Sequence, residues 1–395
     1  MIKQRLKLIL ILLAVLIVGS AIYLYFEHLA PVRLDKEEQI TVWYVDDGTA
    51  MQRLSELAEE YNKGEGKDSG VSVVLRSFSD EAALQAAISS GTNLPNVILC
   101  GSDTASLLND GDKLYKLGDY FDKWKLSDCP DAYIEGAEVK RELVALPVLS
   151  ETDVLMLNTK LYGDTDSLKT YERLCAVSDE YYQRNDSSFY TVEDYSDFFR
   201  LQIMRLGGEF DGVNPHDSDD KNCIYIYNNL LATSALERGF DLPGKTPAKS
   251  VADGEMPCAV LSSASVTECV QGSADDIEFL PVPYMKDGSR ECVERLTLLC
   301  ILKDDDNRQL ASCLFAEWFT SKDINTRFAE GSGCLATFGE SKAGDDETAA
   351  KLLSTVTELL DGDGSVIYSL DAEYAANSIE FNLNLATLMD GLRNK

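Results

Sequence analysis

The fold follows from a stretch near the start of the chain, Gln39-Ile40-Thr41-Val42-Trp43-Tyr44-Val45-Asp46-Asp47-Gly48. Its β-branched and aromatic residues at 40–45 predict a strand, and Asp46-Asp47-Gly48 ends that strand. Apolar residues from Met51 to Tyr61 then recur at helical spacing. The stretch therefore begins a unit of one strand followed by one helix.

The same alternation is repeated further along the chain. Val71 to Leu75 predicts a second strand, and Ser79 is expected to cap a helix from Asp80 to Ser90. Val97 to Cys100 predicts a third strand, followed by a short helix around Leu107. Strands that alternate with helices form a parallel sheet with right-handed crossovers, so an α/β lobe is predicted.

The parallel sheet also predicts where a ligand would bind. In open parallel sheets, ligands lie beyond the carboxyl ends of the strands, where helix N-termini also point. The residues expected at that edge are Asp46, Asp47, Phe78, Ser79, Ser102 and Asp103.

The second half of the chain contains further predicted strands and helices. Strands are predicted at 143–148 and 154–158, and the short polar stretch between them is interpreted as the approach to a crossover into a second lobe. A strand at 258–261 would deliver serines to the start of a helix. The other predicted elements are helices at 170–182, 194–206, 310–319, 347–360 and 371–392, a short helix opened by Thr246-Pro247, and strands at 277–280 and 296–302.

Residues 8–26 form an uninterrupted apolar run of 19 residues, preceded by Lys3, Arg5 and Lys7. A helix of this length spans roughly 28 Å, close to the hydrocarbon thickness of a bilayer. Because basic residues stay on the cytoplasmic side, we expect one transmembrane helix with the rest of the chain outside the cell. The alternative is a signal peptide cleaved after Gly19-Ser20-Ala21, but Ile22 to Phe26 extends the run and supplies interfacial tyrosines.

The chain is strongly acidic, with a formal net charge of −31 over 395 residues. Nucleic-acid binding needs basic stripes, and the sequence contains none, so nucleic acid is excluded as a partner. A body of about 365 residues outside the membrane exceeds one ordinary core, so two lobes are expected. Most of the ten cysteines lie among apolar residues and are interpreted as small core side chains.

The sequence contains no recognisable catalytic framework. Its two histidines are His28, next to the apolar run, and His216, in an acidic segment. GxSxG, HExxH and Walker-type glycine motifs are absent from it. Asp361-Gly362-Asp363-Gly364-Ser365 lacks the ligand spacing of a calcium loop and is interpreted as a turn. We therefore expect a protein that is not an enzyme and has no cofactor or metal.

Six motifs follow one another along residues 39–390. They are the first strand at 40–44, the small-residue turn from Ser89 to Val97, the loop from Asn109 to Leu117, the passage from Leu146 to Tyr162, the segment from Val251 to Ser265 and the late helix pair from Ala311 to Gly331. In this order they resemble the extracellular solute-binding proteins of bacterial ABC importers, especially the large carbohydrate-type group.

The resemblance implies an α/β, two-lobed, periplasmic-binding-protein-like (type II) fold with a hinge, here preceded by one N-terminal transmembrane helix. The expected divisions are a membrane anchor or signal segment (1–29), a first lobe (39–150, with part of 296–330 returning to it) and a second lobe (151–295, with part of 331–395 packing across both lobes). The family's lipid-modified cysteine is missing, since the first cysteine is Cys100, and the transmembrane helix would replace it.

The expected ligand site lies between the two lobes. On the first lobe the candidates are Tyr44, Asp46, Asp47, Phe78, Ser102 and Asp103, and on the second they are Glu151, Thr152, Ser262, Ser263, Ser265 and Tyr284. Many carbohydrate binders have a tryptophan after the strand at 258–261. Here Ser262, Ser263 and Ala264 follow it, which weakens the carbohydrate assignment.

The resemblance implies an extracellular subunit that captures a small solute by hinge closure and presents it to ABC permease subunits in the membrane. An oligosaccharide is the first expectation, because carboxylates accept hydrogen bonds from sugar hydroxyls. A cationic solute such as a polyamine is the second, because Asp46, Asp47 and neighbouring carboxylates would place several negative charges at one site. A membrane-anchored, ligand-sensing partner of a signalling protein is the alternative to transport.

Overall fold

The computed structural model describes residues 13–20, 33–46, 48–208, 221, 246–267, 276–360, 365–368, 370–378 and 381. Strands and helices first alternate, as the sequence predicts: β1 (Glu38–Val45), α1 (Gly48–Lys63), α2 (Glu65–Ser69), β2 (Val71–Phe78), α3 (Glu81–Ser89), β3 (Val97–Cys100) and α4 (Ser102–Asp110). β1 pairs in parallel with both β2 and β3. The cap of α3 is Asp80 rather than the predicted Ser79, because the Asp80 carboxylate accepts the Ala83 N–H at 2.8 Å.

The middle of the chain places short elements around one long strand. They are α5 (Asp131–Gly136), β4 (Glu138–Val139), β5 (Glu142–Leu143), β6 (Leu146–Asn158), α6 (Tyr171–Asn185), β7 (Tyr190–Val192), α7 (Tyr195–Arg205), α8 (Pro247–Ala252), β8 (Cys258–Ser262), α9 (Ser263–Val266) and β9 (Ile277–Pro281). The side chain of Thr246 caps α8 by accepting the Lys249 N–H, and Pro247 lies in the first turn as predicted.

The last elements are β10 (Cys292–Ile301), α10 (Asp306–Phe319), α11 (Lys322–Ala329), β11 (Leu335–Ala336), α12 (Glu347–Leu360) and β12 (Ser365–Ile367). Residues 372–378 are also helical. Apart from residue 381, the remainder of the helix predicted at 371–392 lies outside the described residues.

The main path of hydrogen-bonded strands has the order β2-β1-β3-β10-β6-β8-β7. β10 runs antiparallel to both β3 and β6, and β8 runs antiparallel to β6 but parallel to β7. The late strand β10 is therefore inserted between strands from the first half of the chain. β6 and β10 together connect the parallel strands at one end of this path with those at the other end.

β6 differs from the two strands predicted around the polar stretch 149–153, because it continues through that stretch without a break. Residues 146, 147 and 149–152 pair with β10, with a register shift at Val148, and residues 153–157 pair with β8. A polar stretch becomes a loop when its backbone groups need water, and here a neighbouring strand supplies hydrogen-bond partners throughout. The polarity of this stretch therefore reflects what its side chains face.

Three apolar cores surround this strand. The first core takes its buried residues from 34–149 and 296–334. Further along β6, Leu155 and Leu157 belong to the second core, whereas Val154 and Met156 belong to the third. Because successive residues of a strand point to opposite faces, this end of β6 is buried on both sides.

The cysteines confirm the interpretation of small core side chains. The eight within the described residues are free thiols, and all of them except the half-buried Cys175 are buried. Burial raises the pKa of Cys129 and Cys313 to about 12, so these thiols stay protonated and unreactive. Cys223 and Cys269 lie outside the described residues.

The predicted membrane segment is described only at residues 13–20, which are helical. Across the described part of the chain, no helix is both long enough and apolar enough to cross a membrane. Residues 8–12 and 21–26 lie outside the described residues, as do His28, His216 and the turn at 361–364, so single-pass anchoring stays a prediction.

Asn325 provides a test of the first core. Its side chain is fully buried, donates to the Val148 carbonyl at 2.7 Å and accepts the Phe338 N–H at 2.8 Å. Asn325→Ala leaves two buried backbone groups without partners, so we expect the free energy of unfolding to fall by about 2–4 kcal/mol, measured by chemical denaturation. Asn185→Ala changes an exposed asparagine and is the control. Equal stability of the two variants would contradict this role for Asn325.

Candidate functional site

A cavity of about 530 Å³ lies where the three cores meet. Leu99 and Leu149 of the first core line one part of it, and Val192 and Val260 of the second core line another. Leu261 contributes from the third core. The carboxyl ends of β3, β7 and β8 open onto this cavity, which is the position expected for a ligand site in an α/β fold.

Five of the predicted ligand residues lie on the cavity wall. They are Ser102, Asp103, Glu151, Ser262 and Ser265. Four of the five follow the strand-end rule, because they lie at the end of β3 or β8 or in the first turn of the next helix. Their role as ligand contacts stays a prediction.

Thr152 and Ser263 were predicted beside these residues but are buried away from the cavity. The hydroxyl of Thr152 donates to the Val293 carbonyl at 2.6 Å. Because side chains alternate along a strand, Glu151 and Asp153 face the cavity while Thr152 between them does not.

The other predicted residues also lie off the wall. Tyr44 is buried in the first core, and Phe78 packs against Trp43 with ring centroids 5.1 Å apart. Tyr284 lies under the guanidinium of Arg290, whose central carbon is 4.8 Å from the ring centroid. Asp46 is exposed but does not line the cavity, and Asp47 lies outside the described residues. Residues 42–44 of β1 are buried, so the ring of Tyr44 belongs to the first core, and the ring of Phe78 packs against that core at Trp43.

Arg295 is a cation on the wall that the sequence analysis did not predict. Its Nε lies 3.3 Å from Glu151 Oε1, its Nη2 lies 2.5 Å from Asp153 Oδ1, and its Nη1 lies 3.3 Å from Asp197 Oδ2. Burial disfavours the charged form, but the three carboxylates outweigh it and hold the pKa of Arg295 well above its ordinary value. The guanidinium therefore joins β10 to both β6 and α7.

Arg200 is the second cation on the wall. Its guanidinium carbon lies 3.5 Å from the ring centroid of Tyr368 and 3.8 Å from that of Tyr374. The Tyr374 hydroxyl also donates to Asp197 at 3.3 Å. Cation–π attraction thus holds residues from the C-terminal part of the chain against α7.

Carboxylates outnumber these two cations by far. Nine line the cavity: Asp80, Glu81, Asp103, Glu151, Asp153, Glu193, Asp194, Asp197 and Asp371. They are spread along the wall, and no three acidic, histidine or cysteine side chains among the described residues are grouped closely enough to hold a metal ion.

Glu193 has a strongly perturbed acidity. It follows β7, and its carboxylate accepts the Ser262 N–H at 2.9 Å. Desolvation by the surrounding cavity walls raises the pKa of Glu193 to about 7, and the nearby charges of Asp153 and Glu151 add to the shift. The folded protein therefore favours the protonated form of Glu193 more than water does.

The pKa values of Asp194 and Asp103 are also raised. Desolvation and the charge of Asp197 raise the pKa of Asp194 to about 7, although Asp194 accepts the Asp197 N–H at 3.0 Å as the cap of α7. Desolvation and Asp197 also raise the pKa of Asp103 to about 6, against a hydrogen bond from Ser378 Oγ at 3.1 Å. The wall therefore holds three carboxyls that titrate near neutral pH.

The sequence analysis missed most of the acidic wall for identifiable reasons. Glu193 and Asp194 obey the strand-end rule, but β7 has only three residues, too few for a visible strand pattern. Arg295 lies in the middle of a strand, where no rule marks a site residue. Tyr368 and Tyr374 reach the cavity from a distant part of the chain, which no local pattern predicts.

Comparison with known proteins adds to this geometry. Residues 56–355 match the family model described as bacterial extracellular solute-binding protein. No curated protein sequence matches the chain. Similar solved structures include the GacH receptor of Streptomyces glaucescens, with a TM-score of 0.71, 16% identity and coverage of 91% of this chain and 94% of that chain.

Two further structures are similar. A solute-binding protein of an ABC transporter from Agrobacterium radiobacter K84, in complex with ribitol, has a TM-score of 0.69, 17% identity and coverage of 91% of this chain and 98% of that one. Maltose-bound MalE3 of T. maritima has a TM-score of 0.67, 15% identity and coverage of 90% and 99%. These likenesses confirm the predicted α/β, periplasmic-binding-protein-like fold.

Removing Arg295 should unpair three carboxylates at once. For Arg295→Met we expect the free energy of unfolding at pH 7.5 to fall by about 3–5 kcal/mol, because buried charges lose their partner. The loss should be smaller at pH 5, where protonation relieves part of the repulsion. Chemical denaturation at both pH values measures this. Arg184→Met, on the exposed surface of α6, is the control, and a loss no larger than the control's would refute the role of Arg295.

Glu193 should make the protein less stable as the pH rises. A carboxyl whose pKa is higher in the folded than in the unfolded protein stabilises the fold at low pH, and this contribution is lost as the pH rises through about 7. We therefore expect the melting temperature of Glu193→Gln to decline less between pH 5 and pH 8 than that of the wild type. Glu358→Gln, which removes an exposed charge from α12, should follow the wild type. Parallel pH profiles for all three proteins would exclude this effect.

Proposed function

The chain belongs to the bacterial extracellular solute-binding proteins, and on that basis we propose that it is the extracellular binding subunit of an ABC importer. It captures a sugar or a polyol and presents it to a permease in the membrane. Structural neighbours support this ligand class, since their structures include complexes with acarbose, ribitol and maltose.

The composition of the cavity wall carries this proposal. A volume of about 530 Å³ is within the range of small-molecule sites. Sugar hydroxyls both donate and accept hydrogen bonds, and the wall offers serine hydroxyls at Ser102, Ser262 and Ser265 together with carboxylate acceptors. Within this class, a short oligosaccharide is our first candidate, since it would reach groups on both sides of the cavity.

Capture proceeds by hinge closure in this proposal. In it, residues 39–150 form the first lobe together with part of 296–330, residues 151–295 form the second, and part of 331–395 packs across both. β6 and β10 cross between the two lobes beside the cavity. A ligand that contacts Asp103 on one side and Ser262 on the other stabilises the closed form by its higher affinity for that form. The permease then recognises the closed shape.

Ligand binding should raise the melting temperature of the full chain in mild detergent, because the ligand binds only the folded protein. At a concentration 100 times Kd the expected gain is about 2.7 kcal/mol. Asp103→Asn should weaken binding about tenfold, since it removes a charge-assisted hydrogen bond. Glu151 is a less selective target, because its loss would also unpair Arg295.

Asp128→Asn is the matched control, since it makes the same change at an exposed position away from the cavity. Thermal-shift measurements with sugars, polyols, peptides and polyamines identify the ligand class. Hydrolysis of a glycan, without a shift from any solute, would instead favour an enzyme.

A further inference from the structure

The two cations on the cavity wall are already engaged by protein groups. Arg295 lies within 3.3 Å of three carboxylates. Arg200 lies over the rings of Tyr368 and Tyr374. No lysine is found on the wall within the described residues. Arg200 still attracts Asp103, and Arg295 attracts Asp194, but these two cations are the only positive charges that the described wall offers to nine carboxylates.

Three carboxylates on the wall depend on uncharged donors. Within the ranges that the structure describes, no ion pair joins Asp103, Glu193 or Asp194 to a cation. Their hydrogen-bond donors are the side chains of Ser378 and Ser265 and two backbone N–H groups. These donors satisfy part of each carboxylate but neutralise none of the charge.

The aromatic side chains of the wall also indicate a charged ligand. Within the described part of the chain, the aromatic residues on the wall are Tyr368 and Tyr374. Both rings contact the same guanidinium, that of Arg200. A sugar would need such a face for stacking. Recognition in this cavity therefore relies on charge and hydrogen bonds more than on stacking.

We propose that the solute carries at least one protonated amine next to its hydroxyl groups, as an amino sugar or an amino polyol does, and that the amine pairs with Asp103 or with the adjacent Glu193 and Asp194. This inference rests on the proposed function and narrows its ligand class. Ammonium hydrogen bonds to carboxylates are the strong, charge-assisted kind, and they would replace the water that the solute displaces.

Other ligand classes fit the wall less well. A neutral solute would desolvate the three carboxyls further without supplying positive charge, so each would stay charged at a cost in free energy or take up a proton. A bare metal ion needs several convergent ligands, and the described carboxylates do not converge in that way. Desolvation is the largest cause of the raised pKa values of Asp103, Glu193 and Asp194, and a ligand ammonium would lower these values.

A pair of disaccharides tests the proposal directly. Cellobiose and the β-1,4-linked disaccharide of glucosamine share one skeleton and differ only in the amines that replace two hydroxyls. By calorimetry on the full chain, we expect the diamine to bind at least about tenfold more tightly. Its advantage should shrink between 25 mM and 250 mM NaCl, since salt screens the attraction. Equal affinities, or tighter binding of cellobiose, would overturn the proposal.

Variants locate the amine within the cavity. Glu193→Gln should lower the affinity for the diamine about tenfold and leave that for cellobiose within about twofold. Glu358→Gln, the remote control with the same loss of charge, should change neither affinity. A diamine affinity that is unchanged by Glu193→Gln and by Asp103→Asn would also overturn the proposal.

The outcomes separate this inference from the function on which it rests. If neutral sugars or polyols bind as tightly as their amino counterparts, the inference fails and the proposed function stands. If spermidine, which has amines but no hydroxyls, binds more tightly than every hydroxylated amine, the sugar or polyol class fails instead. If no compound of either class binds, both fail.

Discussion

Strand β6 is the constraint on which the remaining structure depends, because a single run of 13 residues connects three cores and lines the cavity. Its partner changes from β10 to β8 between residues 152 and 153, so its backbone stays paired from Leu149 to Leu157. Because side chains alternate along a strand, each residue of β6 faces either the cavity or one of the cores. Glu151 and Asp153 face the cavity, Thr152 faces away, and the next four residues divide between the second and third cores.

Two acidic residues at the centre of such a strand need compensation, and Arg295 provides it from the facing position on β10. A planar guanidinium can contact several carboxylates from different directions, which a lysine ammonium does less well. Buried ion networks add little net stability compared with apolar packing, but breaking one is costly. Arg295 therefore fixes the relative positions of β6, β10 and α7 more than it strengthens the fold. Those elements carry three of the nine acidic wall residues, Glu151, Asp153 and Asp197.

Local sequence patterns predicted the strands and helices of the first lobe and the polar residues at the strand ends. The alternation of β1, α1, β2, α3 and β3 followed from apolar periodicity, and Ser102, Asp103 and Ser262 followed from the carboxyl ends of their strands. Prediction failed where a distant partner decides the outcome. The polar stretch 149–153 is a strand because β10 and β8 pair with it, and Tyr44 is core because other elements cover it. The partners of Arg200, Tyr368 and Tyr374, are more than 160 residues away along the chain, so no local pattern could predict that contact.

The same charges would govern both selectivity and closure. The chain carries a net charge of −31, so its field draws cations toward it before contact. If the cavity closes as we propose, Asp103 would approach Glu193 and Asp194, and the repulsion between these carboxylates would oppose closure of the empty protein. An ammonium group between them reverses the sign of that interaction. Because a ligand shifts an equilibrium only by its differential affinity for the two forms, a cationic solute gains an advantage in the closed form that a neutral solute lacks. The unpaired carboxylates, which weaken the empty protein, would in this way keep it open until the correct solute arrives.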